Sequence, residues 1–257
     1  MQAPFFTAHN VLLDNGIYTK PESPGTIDKE PVFLSAKHIL NLVFPLNKEA
    51  FNILDLGCLE GGYTTEFARM GFNATGIEVR DINYECCMYV KNHTRLPNLN
   101  FVKDDVLNVE RYGIFDAVFC CGLLYHLDRP KTFLEQVASQ TRKLIIIQTH
   151  FSLATQTIES KFHLSDLITH DGIKGRWYGE FSEDTGLEAQ QQMRWSSFQN
   201  SKSFWIQREE LIELIYKLGF TTVFEQFDAF SPDISNHLQN GYFSNLRGTF
   251  IGVRNMG

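Results

Sequence analysis

The chain has 257 residues, 43% of them hydrophobic, with a formal net charge of −7 and a sequence pI near 5.6. That length and apolar content suffice for one α/β domain carrying an insertion. The acidic balance disfavours nucleic acid as partner, because a broad hold on phosphate backbones rests on many Lys and Arg contacts. No apolar run of eighteen residues occurs, and MQAPFFTAHN lacks the charged-then-apolar layout of a secretory leader, so no membrane partner and a cytoplasmic location are expected.

In chain order, residues 1–50 precede any sheet: the turn-rich PESPGT at 21–26 lies in an extended N-terminal arm, and 32–44 has apolar spacing that predicts a lead-in helix ending before Pro45. Over residues 51–150 short apolar runs alternate with amphipathic segments, the pattern of a parallel sheet covered by helices on both faces. Strands are predicted near 51–56, 73–78, 99–103, 115–121 and 143–149, with helices near 62–70, 81–93 and 130–140 between them. The alternation then stops. Residues 151–203 are too long for a bare loop in a compact domain, so they are read as a structured lid that carries function. A helix at 207–218 follows, stopped by Gly219, and strands near 220–227 and 248–254 close residues 204–257 as a terminal antiparallel pair, with no second helix expected between them. All four segments are read as parts of one domain.

Chemistry concentrates where strands end. The first strand breaks into Gly57-Cys58-Leu59-Glu60-Gly61-Gly62 before a helix, a turn whose glycines let the backbone approach a ligand. A dinucleotide site needs a glycine where Leu59 stands, and Asp55 would repel a phosphate but pair with a cationic amine. Glu78 ends the second strand, where an acid can accept both hydroxyl hydrogens of a ribose. Asp104 and Asp105 end the third. The five cysteines (58, 86, 87, 120 and 121) have neither metal-ligand spacing nor a disulfide framework, so they are read as reduced thiols and no metal is expected.

ILDLGCLEGG at 53–62 resembles motif I of class I S-adenosylmethionine-dependent methyltransferases, commonly D-x-G-x-G-x-G, with Leu59 replacing the middle glycine. FDAVFCCGLLYHL at 115–127 resembles the same family's fourth motif. The resemblance implies a Rossmann-like, seven-stranded, mostly parallel sheet, S-adenosyl-L-methionine as cofactor and S-adenosyl-L-homocysteine as product. It implies cofactor contacts at Asp55, Gly57, Cys58, Gly61 and Glu78, adenine contacts at Asp105 and Val106 (Asp104 the alternative), and contacts beside the methionine at Cys121 and Leu123. LLYHL at 123–127 and SFWIQREELIELIYKLGF at 203–220 resemble a bacterial subgroup similar in outline to the tRNA wobble-uridine carboxymethyltransferases.

For the acceptor, the lid offers Arg176, Trp177, Tyr178, Glu180, Arg194 and Trp205, suited to a planar ring, a sugar face or a carboxylate, although any one Trp serves equally as packing. His126 and His150 follow the fourth and fifth strands and are the candidate catalytic bases, weighed against a role as packed rings. The expected reaction is O-methylation of a small metabolite or glycosyl acceptor. A tRNA-modifying methyl or carboxymethyl transferase and a non-catalytic nucleoside-binding regulator are the alternatives.

Overall fold

The structure, a computed structural model, describes residues 3–155, 160–182, 184–228 and 233–255. The chain divides into two compact units, one running to Phe119 and one from Cys120. A seven-stranded sheet in the order β3-β2-β1-β4-β5-β10-β9 and a three-stranded sheet β6-β7-β8 carry the architecture, a Rossmann-like α/β fold.

Unit 1 holds α1 (Pro31–Val43), β1 (Asn52–Leu56), α2 (Gly62–Arg69), β2 (Asn73–Glu78), α3 (Asp81–Asn92), β3 (Leu99–Lys103) and most of β4 (Phe115–Cys121). Pro31 starts α1 where its missing N–H costs nothing, and the helix stops before Pro45 as expected. β1 pairs parallel with β2, and β2 with β3. Ile53, Leu54 and Leu56 are all buried, as a strand covered on both faces requires. Phe67 of α2 packs at 5.2 Å from Phe119 and 6.1 Å from Phe33 of α1, edge to face or tilted. Each such fully buried ring contributes about 1.5–3 kcal/mol relative to exposure.

Unit 2 holds α4 (Pro130–Ser139), β5 (Thr141–His150), β6 (Ile168–His170), β7 (Ile173–Gly179), α5 (Leu187–Gln192), β8 (Lys202–Ile206), α6 (Arg208–Lys217), β9 (Thr222–Gln226) and β10 (Arg247–Val253). β10 lies antiparallel between β5 and β9, so the terminal pair is as expected. Two features depart from the sequence reading. The insertion is an antiparallel sheet whose third strand runs on to Ile206, past the expected boundary at 203. Helical turns fill Ile234–His237, Leu238–Tyr242 and Phe243–Asn245, where no second helix was expected; polar residues and Gly241 mask the period there.

β7 and β8 approach so closely that a Cβ on Gly175 would lie 2.4 Å from the Trp205 carbonyl oxygen and 2.6 Å from the Phe204 ring. A Cβ on Gly179, in the same strand, would meet nothing within 4 Å. Gly175→Ala should therefore cost about 1–3 kcal/mol or more through overpacking, lowering the melting temperature by several degrees, with Gly179→Ala as a near-neutral control. Equal melting temperatures for the two variants would refute the close packing.

Candidate functional site

In unit 1 the loop after β1 keeps the backbone of a glycine-rich turn despite Leu59. Gly57, Leu59 and Gly61 all have left-handed φ, at 67°, 54° and 78°. A left-handed leucine is disfavoured by roughly 1–2 kcal/mol, and its neighbours hold it there. The Leu59 N–H donates to Glu78 Oε2 at 3.0 Å, and the Cys87 thiol donates to the Leu59 carbonyl at 3.2 Å. At Gly61 no side chain fits, because a Cβ would lie 2.6 Å from the Phe101 ring.

Asp55 is buried at the end of β1 and accepts the Thr64 hydroxyl hydrogen at 2.6 Å. Burial pushes its carboxyl up to about 7 against the opposing Thr64 hydrogen bonds, and the nearby Glu78 adds to the rise. Glu78 is itself pushed up by burial, although it accepts the Arg80 N–H at 2.9 Å. Two buried acids so close together make a site that favours a positively charged ligand. Asp104 is occupied by Asn108 Nδ2 at 2.8 Å and Tyr112 Oη at 2.5 Å. Asp105 caps the following turn through the Leu107 N–H at 3.0 Å, and Val106 beside it is buried. Cys58 is buried with its Sγ 3.8 Å from that of Cys87.

Sequence reasoning passed over Glu60. It is fully buried and accepts the N–H groups of Thr7, Ala8 and His9 at 2.6–2.9 Å, tying the N-terminal arm to motif I. Burial opposes its charge, but those bonds outweigh burial and hold its carboxyl below the usual range. His9 Nδ1 accepts the Gly62 N–H at 2.9 Å, and burial drives its ring down to about 4, so it stays neutral. The signal was an acid inside a glycine turn.

In unit 2, β4 ends at Cys121, whose thiol donates to Gln148 Oε1 at 3.3 Å. Leu123 precedes a helical turn at Leu124–His126. His126 Nδ1 lies 2.8 Å from Glu180 Oε1. The Glu180 side chain is 3% exposed and also accepts Ser203 Oγ at 2.8 Å and the Ser197 N–H at 3.3 Å. Burial works against its charge, yet these donors, His126 foremost, hold its carboxyl below the usual range. An ionised carboxylate only accepts, so His126 Nδ1 carries a hydrogen, and in the neutral tautomer Nε2 carries the lone pair.

The other lid residues sort by contact. Trp205 is buried, donates Nε1–H to the Tyr125 carbonyl at 3.0 Å, and stacks on His150 at 4.7 Å and on Tyr178 at 4.9 Å. His150 Nδ1 lies 2.9 Å from the Asn245 carbonyl, and burial, helped by Arg247, takes its ring down to about 3. Trp177 faces the other way, against Phe204 and His170. Arg176 is buried and donates to three backbone carbonyls, those of Leu153, Ala154 and Ser165, at 2.8–3.0 Å, so its guanidinium serves the fold. Arg194 is half-buried after α5. Among the described residues no cluster of His, Cys, Asp and Glu could hold a metal ion, and no helix is long and apolar enough to cross a membrane.

Comparisons with known proteins agree with this geometry. A family model described as a methyltransferase domain matches residues 30–225. The ubiquinone biosynthesis O-methyltransferase of Rickettsia bellii is 23% identical over 187 residues, 70% of this chain and 74% of that protein. A tRNA U34 carboxymethyltransferase of Alteromonas mediterranea is 29% identical over 98 residues, 36% of this chain and 30% of that protein. Among solved structures, the N-terminal domain of EvdMO1 with S-adenosylhomocysteine bound superposes with a TM-score of 0.64 at 22% identity, over 88% of this chain and 82% of that one. The chain belongs to the methyltransferase domain family and is a class I S-adenosylmethionine-dependent methyltransferase.

Proposed function

We propose that the chain methylates a hydroxyl group of a small acceptor, with His126 as general base. The observation that carries this reading is the 2.8 Å pair of His126 Nδ1 with a buried, ionised Glu180. That pair leaves Nε2 as a lone-pair acceptor, with no hydrogen-bond partner among the described residues. Likeness to an O-methyltransferase over 74% of that protein's length also supports it.

The residues of unit 1 fit the family's cofactor. Asp55 would take the methionine ammonium, Gly57, Cys58 and Gly61 would let the backbone approach, Glu78 would take the ribose hydroxyls, and Asp105 with Val106 the adenine. Cys121 and Leu123 would border the methionine. When bound, the cofactor supplies a methyl group activated by its positively charged sulfur.

The chain's own groups then position the acceptor and move one proton. His126 Nε2 receives the acceptor hydroxyl hydrogen, and Glu180 stabilises the imidazolium that results, a contribution of about 10²- to 10⁴-fold for a well-placed base. Tyr178 would supply an apolar wall that keeps water out, backed by the buried Trp205 stacked on it at 4.9 Å. His150, with its ring driven down to about 3, is too weak a base near neutrality and serves as a stacked support for Trp205.

The test has two arms. S-adenosylhomocysteine should raise the melting temperature and NAD should not. Labelled cofactor should pass methyl to small hydroxylated molecules and not to unmodified tRNA. Labelled tRNA without labelled small molecules would favour the nucleic-acid alternative.

A further inference from the structure

Arg247 opens β10 opposite His150 in the antiparallel register with β5, beyond the segments that the sequence reading assigned to the acceptor. Its Nε and Nη2 donate to one oxygen, Gln148 Oε1, at 3.1 and 2.6 Å. Gln148 is buried and neutral, so it fixes the guanidinium without cancelling its charge. A guanidinium has five N–H hydrogens. Two go to Gln148, and among the described residues the other three have no acceptor and no carboxylate pairs with the side chain.

A second donor lies beside it. The guanidinium carbon sits 5.6 Å from the centre of the Tyr125 ring. The point where a Cβ on Gly122 would stand is 3.7 Å from Arg247 Nη2 and 3.8 Å from Tyr125 Oη. That hydroxyl also has no hydrogen-bond partner among the described residues. The absent side chain of Gly122 thus leaves room for an atom in van der Waals contact with both the guanidinium and the Tyr125 hydroxyl. The charge is felt nearby, since Arg247 is the second cause, after burial, of the low pKa of His150.

We propose that Arg247 and Tyr125 form a receptor for an oxyanion on the acceptor, so that the methylated hydroxyl belongs to a small organic acid. A carboxylate or a phosphate has the charge and the paired oxygens to meet the outer guanidinium edge, which a neutral alcohol or ester lacks. This rests on the small-acceptor reading above and narrows it.

The test uses the full chain, tritium-methyl-labelled cofactor, a set of hydroxylated carboxylic acids, their methyl esters and phosphorylated counterparts, and a deproteinised metabolite extract resolved on an anion exchanger. Label is expected in anionic products, with esters methylated at least tenfold more slowly than their parent acids. Carboxylate and phosphate members of the set separate the two anion types. Arg247→Gln should raise KM for the acids at least tenfold, leave kcat within a few-fold and the esters unchanged, and leave the S-adenosylhomocysteine Kd within twofold. Gln148→Glu, which neutralises the guanidinium in place, should give the same loss even if Arg247→Gln folds poorly. Label in neutral products at comparable rates, or both variants keeping the acid preference, overturns the proposal while the small-acceptor function stands. Loss of S-adenosylhomocysteine affinity in Arg247→Gln also overturns it, because the cation would then serve the cofactor. If no small molecule takes label, the small-acceptor reading fails and this proposal falls with it.

Discussion

S-adenosylhomocysteine is expected to bind Asp55→Asn about ten- to a hundredfold more weakly than the parent chain at pH 8, a loss typical of one charge-assisted contact. The parent's affinity should climb with pH and then level off above about 7. The cause is the buried Asp55 carboxyl, raised to about 7 by burial. In the apo chain the folded state holds that proton more tightly than the unfolded state. This carboxyl therefore costs the fold stability as pH rises from the ordinary carboxylate range to about 7. A bound ammonium reverses the balance by favouring the ionised form, so below pH 7 binding must release a proton. Each pH unit below about 7 should weaken binding by up to tenfold. Calorimetry at pH 6 in buffers of different ionisation enthalpy reads the released proton directly. A flat pH profile from 5 to 8, or full affinity in Asp55→Asn, would remove Asp55 from the cofactor site.

The second large effect concerns turnover. With saturating cofactor and an accepted substrate, His126→Ala should lower kcat by about 10²- to 10⁴-fold while leaving cofactor affinity near normal, because the base acts only in the chemical step. Glu180→Gln keeps the shape but removes the charge that stabilises the imidazolium, so it should lose less than His126→Ala and change the pH–rate profile. His150→Ala should behave differently. It deletes a ring stacked at 4.7 Å on Trp205, so its main cost is a lower melting temperature, with kcat changed only modestly. If His126→Ala retains near-normal turnover, base catalysis is wrong, and an acceptor methylated by positioning alone becomes the better account.

The two histidines illustrate how far the sequence reached. Both lie near the ends of buried strands, His126 in the turn that follows β4 and His150 as the last residue of β5, and their partners give them different roles. Glu180 is 54 positions from His126 and comes to it from the end of β7, whereas the group on His150 Nδ1 is a backbone carbonyl 95 positions away. The lid could have been read further. Asp171-Gly172 is the two-residue pair that favours a tight hairpin, and both residues have left-handed φ, 54° and 73°, between β6 and β7.

What the sequence determined by itself is the part of the molecule built on local period and backbone chemistry. The apolar runs at 51–56 and 143–149, the amphipathic helices between strands, and the Asp55-to-Gly61 turn specify a parallel α/β sheet and a cofactor loop, because strand burial and glycine geometry are written within a few consecutive residues. Tertiary structure alone decided the roles of charged side chains. Arg176 reads as a ligand for the acceptor and is held by three backbone carbonyls, Glu60 carries no sequence assignment and anchors the arm, and Arg247, also unassigned, keeps three hydrogens without an acceptor among the described residues. A charge acquires its function from the partners that desolvate or satisfy it, and those partners come from other segments of the chain.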